Sequence, residues 1–251
     1  FTCVIPLSIL TRPSAQAKYW KGVLAAMSEQ KQFHVKSIFI NGIPRRITAD
    51  PEIMLLEVIR EQQGMTGTKK GCNCGQCGVC NVILNDNVVR ACVTRWKAVA
   101  DGSSLFTIEG VGTPDKPHAI QLAFIVNGAI QCGFCTPGFI MVAKKLLDEN
   151  PNPTREDVRA AFQKNYMACR CTGYVQITDA VMEAAAVLRG EIHIEELAKR
   201  MEPGQKVWNS HYPRPSAIYK ATGTFDFGDD DYLKMPKGTL FAVPVCPPVR
   251  H

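Results

Sequence analysis

Eight of the eleven cysteines in this 251-residue chain fall into two sets of four. Cys72, Cys77, Cys80 and Cys92 form the first, with four residues between Cys72 and Cys77 and two between Cys77 and Cys80. Cys132, Cys135, Cys169 and Cys171 form the second, a Cys-Gly-Phe-Cys followed much later by a Cys-Arg-Cys. Thiolates ligate soft and borderline metals. The first spacing, with its late fourth cysteine, is that of a plant-type [2Fe–2S] site. A second set of four suggests a second cluster. Two one-electron clusters in one chain mean electron transfer, and they suit a partner reaction that releases two electrons at once.

Other uses of cysteine fit less well. Disulfide frameworks belong mainly to small secreted domains, whereas here the thiols crowd beside glycines. Structural zinc sites pair Cys-x-x-Cys units or add histidine, which the first set does not do. For the second set alone zinc would be a fair reading, and the first set lowers it. Cys132 and Cys135 could form a thioredoxin-like redox pair, but no βαβ pattern surrounds them. Cys74 lies inside the first run and competes locally with Cys72. Only Cys72 preserves the four-residue gap to Cys77 and is favoured on that ground. Cys3 and Cys246 lie outside both sets and read as free, inert thiols.

Composition fits a soluble globular protein: 46% hydrophobic, 21% charged, net charge +6. No basic block with interleaved aromatics occurs, which argues against nucleic acid. No run of about 18 apolar residues occurs, so no membrane partner is expected. Arg45-Arg46 falls in an expected strand and is no export signal; these arginines and Lys69-Lys70 read as solvated charge. Met27-Ser28-Glu29 resembles an ordinary start, so residues before it read as leader or as sequence outside the true frame. The strand-like run Thr239 to Val245 stands close to His251, and the chain is expected to continue beyond it.

The elements that must position the cysteines follow from periodicity and turn chemistry. Val35 to Ile40 alternates, Asn41-Gly42 signals a tight hairpin, and pairing continues to Thr48. Asp50-Pro51-Glu52 predicts a helix start, with Ile53, Leu56 and Ile59 as its apolar stripe and Gly64 as its end. Gly64, Gly67, Gly71, Gly75 and Gly78 then fill a loop that carries the first cysteines. Strands are expected at Cys80 to Leu84, Val88 to Thr94 and Leu105 to Ile108. A small sheet, one crossing helix and a cluster loop make a β-grasp, ferredoxin-like domain.

Helical periodicity takes over after Pro114. Helices are expected from His118 to Ile130, from Thr136-Pro137 onward, from a capping box at Thr154 and Asp157, and from Tyr174 to Leu188. Short connections imply an antiparallel up-down bundle. Its first and third turns lie at one end, and these hold Cys132 with Cys135 and Cys169 with Cys171. The helices that follow Cys135 and Cys171 aim positive N-terminal ends at that point. The resulting fold class is α+β. Residues 1–34 are an unassigned extension, 35–112 the β-grasp domain, 113–190 the helical domain, 191–215 a linker and 216–251 the start of a further domain.

These motifs resemble those of the molybdenum hydroxylases, also called the xanthine oxidase family. The matching residues are Gly71-Cys72 through Cys80, Arg90-Ala91-Cys92, Gln131 through Gly138 and Cys169 through Tyr174. Within that family the resemblance runs to single-chain bacterial aldehyde oxidoreductases. Tyr212-Pro213-Arg214-Pro215, Ala221 to Thr224 and Lys234 to Leu240 look like the approach to their molybdenum-binding part. The resemblance implies two [2Fe–2S] clusters, with the helical-domain cluster nearest a molybdopterin held mainly by residues beyond His251. It implies that Gln131 and Cys171 touch the pterin, and that this fragment alone holds no catalytic residue. It further implies aldehyde oxidation to carboxylic acid, a molybdenum-binding domain in cis, a soluble acceptor such as flavodoxin or ferredoxin, homodimer formation and a cytoplasmic location. The alternative is a self-contained iron–sulfur small subunit serving purine, CO or other hydroxylases; a zinc-bound interaction module is a third reading. Cys74 and residues 1–34 depart from the family pattern.

Overall fold

The computed structural model describes residues 33–202, 213–236 and 238–240. Cys3, Cys246 and the run from Phe241 to Val245 lie outside the described residues.

Five strands form one mixed sheet: β1 His34–Ile40, β2 Ile43–Ala49, β3 Asn81–Leu84, β4 Asn87–Arg90 and β5 Ser104–Phe106. Their order across the sheet is β2-β1-β5-β3-β4. β1 pairs antiparallel with β2 and parallel with β5, while β3 pairs antiparallel with both β4 and β5. Both hairpins turn through two residues at positive φ: Asn41 and Gly42 in one, Asn85 and Asp86 in the other. That is the twist-compatible turn chemistry that Asn-Gly favours.

Ile38, Ile40 and Ile47 bury one sheet face against Leu55, Leu56, Val58 and Ile59. The helix that carries these residues departs from its expected form. Helix α1 is only Leu55–Glu57, and it continues as a wide π turn at Val58–Gln62. Asp50 does not cap it. Its carboxylate accepts from Glu52 N–H at 2.9 Å and closes a turn ahead of the helix. The backbone at Met54 bridges to Arg95 instead, so strand-like pairing holds these residues out of the helix.

Four helices follow: α2 Ala119–Val126, α3 Thr136–Glu149, α4 Arg155–Lys164 and α5 Tyr174–Leu188. Helix α3 begins at Thr136 as expected; Cys135 is its N-cap and makes no side-chain cap bond. Thr154 and Asp157 do form a capping box. α2 packs chiefly on α5, and α4 packs on both α3 and α5. Their shared core includes Phe124, Phe139, Ile140, Val158 and Val181. Helix α3 also lies on β3, which joins the helices to the sheet. A short helix α6, Ile194–Lys199, stands where the sequence pattern suggested a plain linker. Buried Leu197 pins it into the helical core. Helix α7, Ala217–Thr222, packs on α2 and α3.

Candidate iron–sulfur sites

The loop from Gly71 to Cys80 is bent by three residues at positive φ: Asn73, Gly75 and Gly78. At Gly78 a side chain is excluded twice over. Its φ is +68°, and a Cβ would lie 2.7 Å from the carbonyl oxygen of Asn165. Glycine alone avoids both penalties.

This bend turns backbone donors toward sulfur. Cys72 N–H donates to Cys77 Sγ at 3.4 Å, and Gln76 N–H donates to Cys72 Sγ at 3.2 Å. Burial opposes ionisation of Cys72. The N–H groups of Cys74 and Gln76 and the Cys77 thiol outweigh it and bring its pKa down to about 6. Such a nest of N–H groups suits an anionic cluster. Cys80 and Cys92 come together from the start of β3 and the turn after β4. Both are buried. Burial, reinforced by the Cys92 thiol, pushes Cys80 up to about 12. Cys92 was expected in a strand, but it lies in the 3-10 turn Ala91–Val93. Cys74 is exposed, and its thiol bonds to that of Cys72.

The second set meets at one end of the helices. Cys132 meets Cys171, Cys171 meets Cys169, and Cys169 meets Cys135, so the four thiols form one run. Burial first, then Cys169, raises Cys135. Cys171 is lowered by the backbone N–H and thiol of Cys132, with help from the Arg214 charge. Arg214 also donates to the Gln131 carbonyl at 3.0 Å. Gln131 lies beside Gly173, directly before α5. The positive ends of α3 and α5 open at these thiols.

Among the described residues no group of three or more His, Cys, Asp or Glu side chains is set to hold a single metal ion. The thiols instead contact one another at each site. Four cysteines gathered at each site, beside loop amides and helix N-termini, fit a cluster of two irons held by four cysteines.

The two sets are stitched together. Ala168 N–H donates to Cys77 O at 3.1 Å. Asn81 Nδ2 donates to Asn165 O at 3.0 Å. Arg90 donates to Gly75 O at 2.6 Å while its guanidinium lies 4.2 Å from the Tyr166 ring centre. The periodicity of the sequence held no sign of these bonds, since each depends on the docking of one unit on the other. Lys69 corrects its expected role as solvated charge. It is 1% exposed, and it pairs with Asp230 at 3.1 Å. Arg45 and Arg46 are exposed, as expected.

Comparison with known proteins agrees with this geometry. Residues 38–105 match the model of the 2Fe-2S iron-sulfur cluster binding domain, and residues 107–182 match that of the [2Fe-2S] binding domain. The chain is 46% identical to the nicotinate dehydrogenase small FeS subunit of Eubacterium barkeri, over 58% of this chain and 90% of that one. It is 53% identical to the aldehyde oxidoreductase of Megalodesulfovibrio gigas, over 86% of this chain and 24% of that one. The crystal structure of aldehyde oxidoreductase from Desulfovibrio desulfuricans superposes with a TM-score of 0.79 at 51% identity, covering 82% of this chain and 23% of that one. The chain belongs to the molybdenum hydroxylase family and matches its iron–sulfur part. It spans about a quarter of the length of the aldehyde oxidoreductases it matches.

Proposed function

We propose that this chain conducts electrons out of a molybdopterin centre through two [2Fe–2S] clusters. Cys72, Cys77, Cys80 and Cys92 would hold the outer one, and Cys132, Cys135, Cys169 and Cys171 the inner one. The observation that carries this reading is the gathering of cysteine thiols in mutual contact at two sites joined through Ala168 and Cys77. When bound, the clusters supply one-electron redox steps. The chain's own residues hold the thiolates, turn N–H groups toward them and fix the distance between sites. In domain terms, residues 35–112 are read as a β-grasp ferredoxin-type domain and 113–190 as a four-helix bundle. Residues 191–215 are read as a linker and 216–251 as the start of a molybdenum-binding domain.

The substrate reading is aldehyde plus water to carboxylic acid, two protons and two electrons. Its support is the similarity to aldehyde oxidoreductases, which continues over 86% of this chain. The match to the Eubacterium barkeri small subunit covers 58%. That difference favours fusion to a molybdenum part over a separate small subunit. Gln131 and Cys171 are assigned to the pterin side, because Cys171 is only half-buried and Cys132 is exposed. No helix of the described residues is long and apolar enough to cross a membrane. A cytoplasmic location, a soluble acceptor such as flavodoxin or ferredoxin, and a homodimer complete the reading.

The test is metal analysis with spectroscopy. Anaerobically purified protein should hold about four irons and four sulfides per chain. It should give two paramagnetic signals on reduction, and Cys92→Ala should remove one. Full-length enzyme should oxidise aldehydes with an artificial dye. Stoichiometric zinc without iron would refute the cluster reading, and iron-replete full-length enzyme inert toward aldehydes would refute the substrate.

A further inference from the structure

The stretch from Pro213 to Pro236 lies across both cysteine-bearing units. It is anchored first to the helices. Arg214 donates to Gln131 O, and Gln121 Nε2 donates to Ala221 O at 3.1 Å. Ala217 and Ala221 complete the helical core. The chain then turns at Gly223, whose φ is +78°, and passes against the backbone of Gly67 on the sheet unit.

Beyond this turn it is held at the seam. Phe227 meets Phe134, the aromatic residue between Cys132 and Cys135, edge-on at 5.3 Å. Phe134 in turn lies beside Gly71, the neighbour of Cys72. Lys69 Nζ sits 4.7 Å from the Phe227 ring centre. Three residues on, Asp230 fills a buried site made by the sheet unit. One carboxylate oxygen pairs with Arg60, and the other with Lys69 at 3.1 Å. The second oxygen also accepts from Phe227 N–H at 2.9 Å. Arg60 also donates from Nη1 to the carbonyls of Thr66 and Thr68.

All three charged side chains are at most 3% exposed. Buried charges are tolerated only when paired and hydrogen-bonded, and removing one partner strands the others. Lifting Asp230 out would deprive two buried cations of the carboxylate that bonds them both. The site is therefore specific for one position of the stretch. Arg60 sits on the π turn, a geometry often found at functional positions.

We propose that residues 213–236 are a strap that fixes the register of the two cysteine-bearing units, with Asp230 as its positioning residue. Its link to electron transfer rests on the reading that each unit holds a cluster. The strap itself does not.

The test is Asp230→Asn in the full-length protein, read by amide exchange and by the magnetic coupling between the two reduced clusters. Exchange of amides in 217–234 should speed up roughly a hundredfold, as expected when a buried charge loses its partner. Amides of β1 to β5 and of α2 to α5 should stay within about twofold. Iron content should hold, and the coupling should change. Asp230→Glu should restore most of the protection. If Asp230→Asn does not fold, Phe227→Ala carries the same test, with about tenfold faster strap exchange expected. Unchanged strap exchange would overturn the proposal. So would acceleration spread evenly over sheet and helices, which would make Asp230 an ordinary fold-stability residue. A loosened strap with unchanged coupling would overturn the register claim. Wild-type protein without iron would refute the cluster reading and leave the exchange result to decide the strap.

Discussion

The backbone N–H of Ala168 donates to the carbonyl oxygen of Cys77 across 3.1 Å. Ala168 directly precedes Cys169, and Cys77 belongs to the other cysteine set. One hydrogen bond thus closes a path of covalent bonds between the two proposed clusters. An electron crossing there meets bonded atoms and one short gap, not an open van der Waals space. Ala168→Pro removes the donor. It should cost about 1 kcal/mol or more of stability and slow transfer between the clusters while both remain bound. Rapid reduction followed by time-resolved absorbance reads the transfer rate. An unchanged rate in a variant with both clusters would show that electrons take another route.

Gly78 tests the same seam from the other side. Alanine there meets a φ of +68°, with Asn165 O at 2.7 Å and Met167 Sδ at 2.9 Å from its Cβ. The backbone penalty and the enforced shift together should cost about 2–4 kcal/mol. Denaturant unfolding with full cluster occupancy measures it. Gly102→Ala is the contrast. Its φ is +76°, but nothing lies within 4 Å of the added Cβ, so it should carry the backbone penalty alone. Equal losses for the two variants would mean that docking against Asn165 contributes nothing.

Local chemistry explains what could be read from the sequence. Asn41-Gly42 adopts the positive φ values that its hairpin needs, and the Thr154 box caps α4 as its spacing requires. The convergence of Cys132, Cys135, Cys169 and Cys171 follows from helix order alone. Asp50 misled because its cap chemistry is genuine, but the carboxylate serves a turn while Met54 pairs with Arg95. Lys69 misled because adjacent lysines usually face water. Its anion lies 161 residues away, so no local pattern announces it. Arg60, for which the sequence raised no expectation, has an equally remote partner. It lies on a turn whose π geometry no apolar period encodes, and its partner is again Asp230.

Acid should act on Asp230 in a definite direction. Burial tends to raise its pKa, but bonds from Arg60 and Phe227 N–H, and the Lys69 charge, hold it below the ordinary value. A carboxylate lowered in the folded state contributes stability that is complete above its unfolded value, about 3.9. That contribution disappears as pH falls through the lower folded value. Strap amides should therefore lose protection below about pH 4 in the wild type. Asp230→Asn should show weak protection at every pH, without that step. Acid also releases iron, so visible absorbance is followed at each point. A step of equal size in the variant would assign the transition to another group.

Cys74 decides the register of the first cluster. It is exposed, two residues from Cys72, and its thiol bonds to Cys72. Cys72 has the stronger claim on geometric grounds. Its sulfur accepts from Gln76 N–H, and its own N–H reaches Cys77 Sγ, so it is built into the nest that faces the other ligands. Cys74 is exposed, and so is Cys72, so these backbone bonds and not exposure separate the two. Cys74→Ser should therefore keep the plant-type signal and leave iron at about four per chain, whereas Cys72→Ser should lower it to about two or shift the signal. Iron analysis and low-temperature spectra of both variants give the answer. Loss of the cluster in Cys74→Ser with retention in Cys72→Ser would move the ligand by two residues. The Gln76 N–H, which reaches both thiols, would then serve Cys74 in place of Cys72.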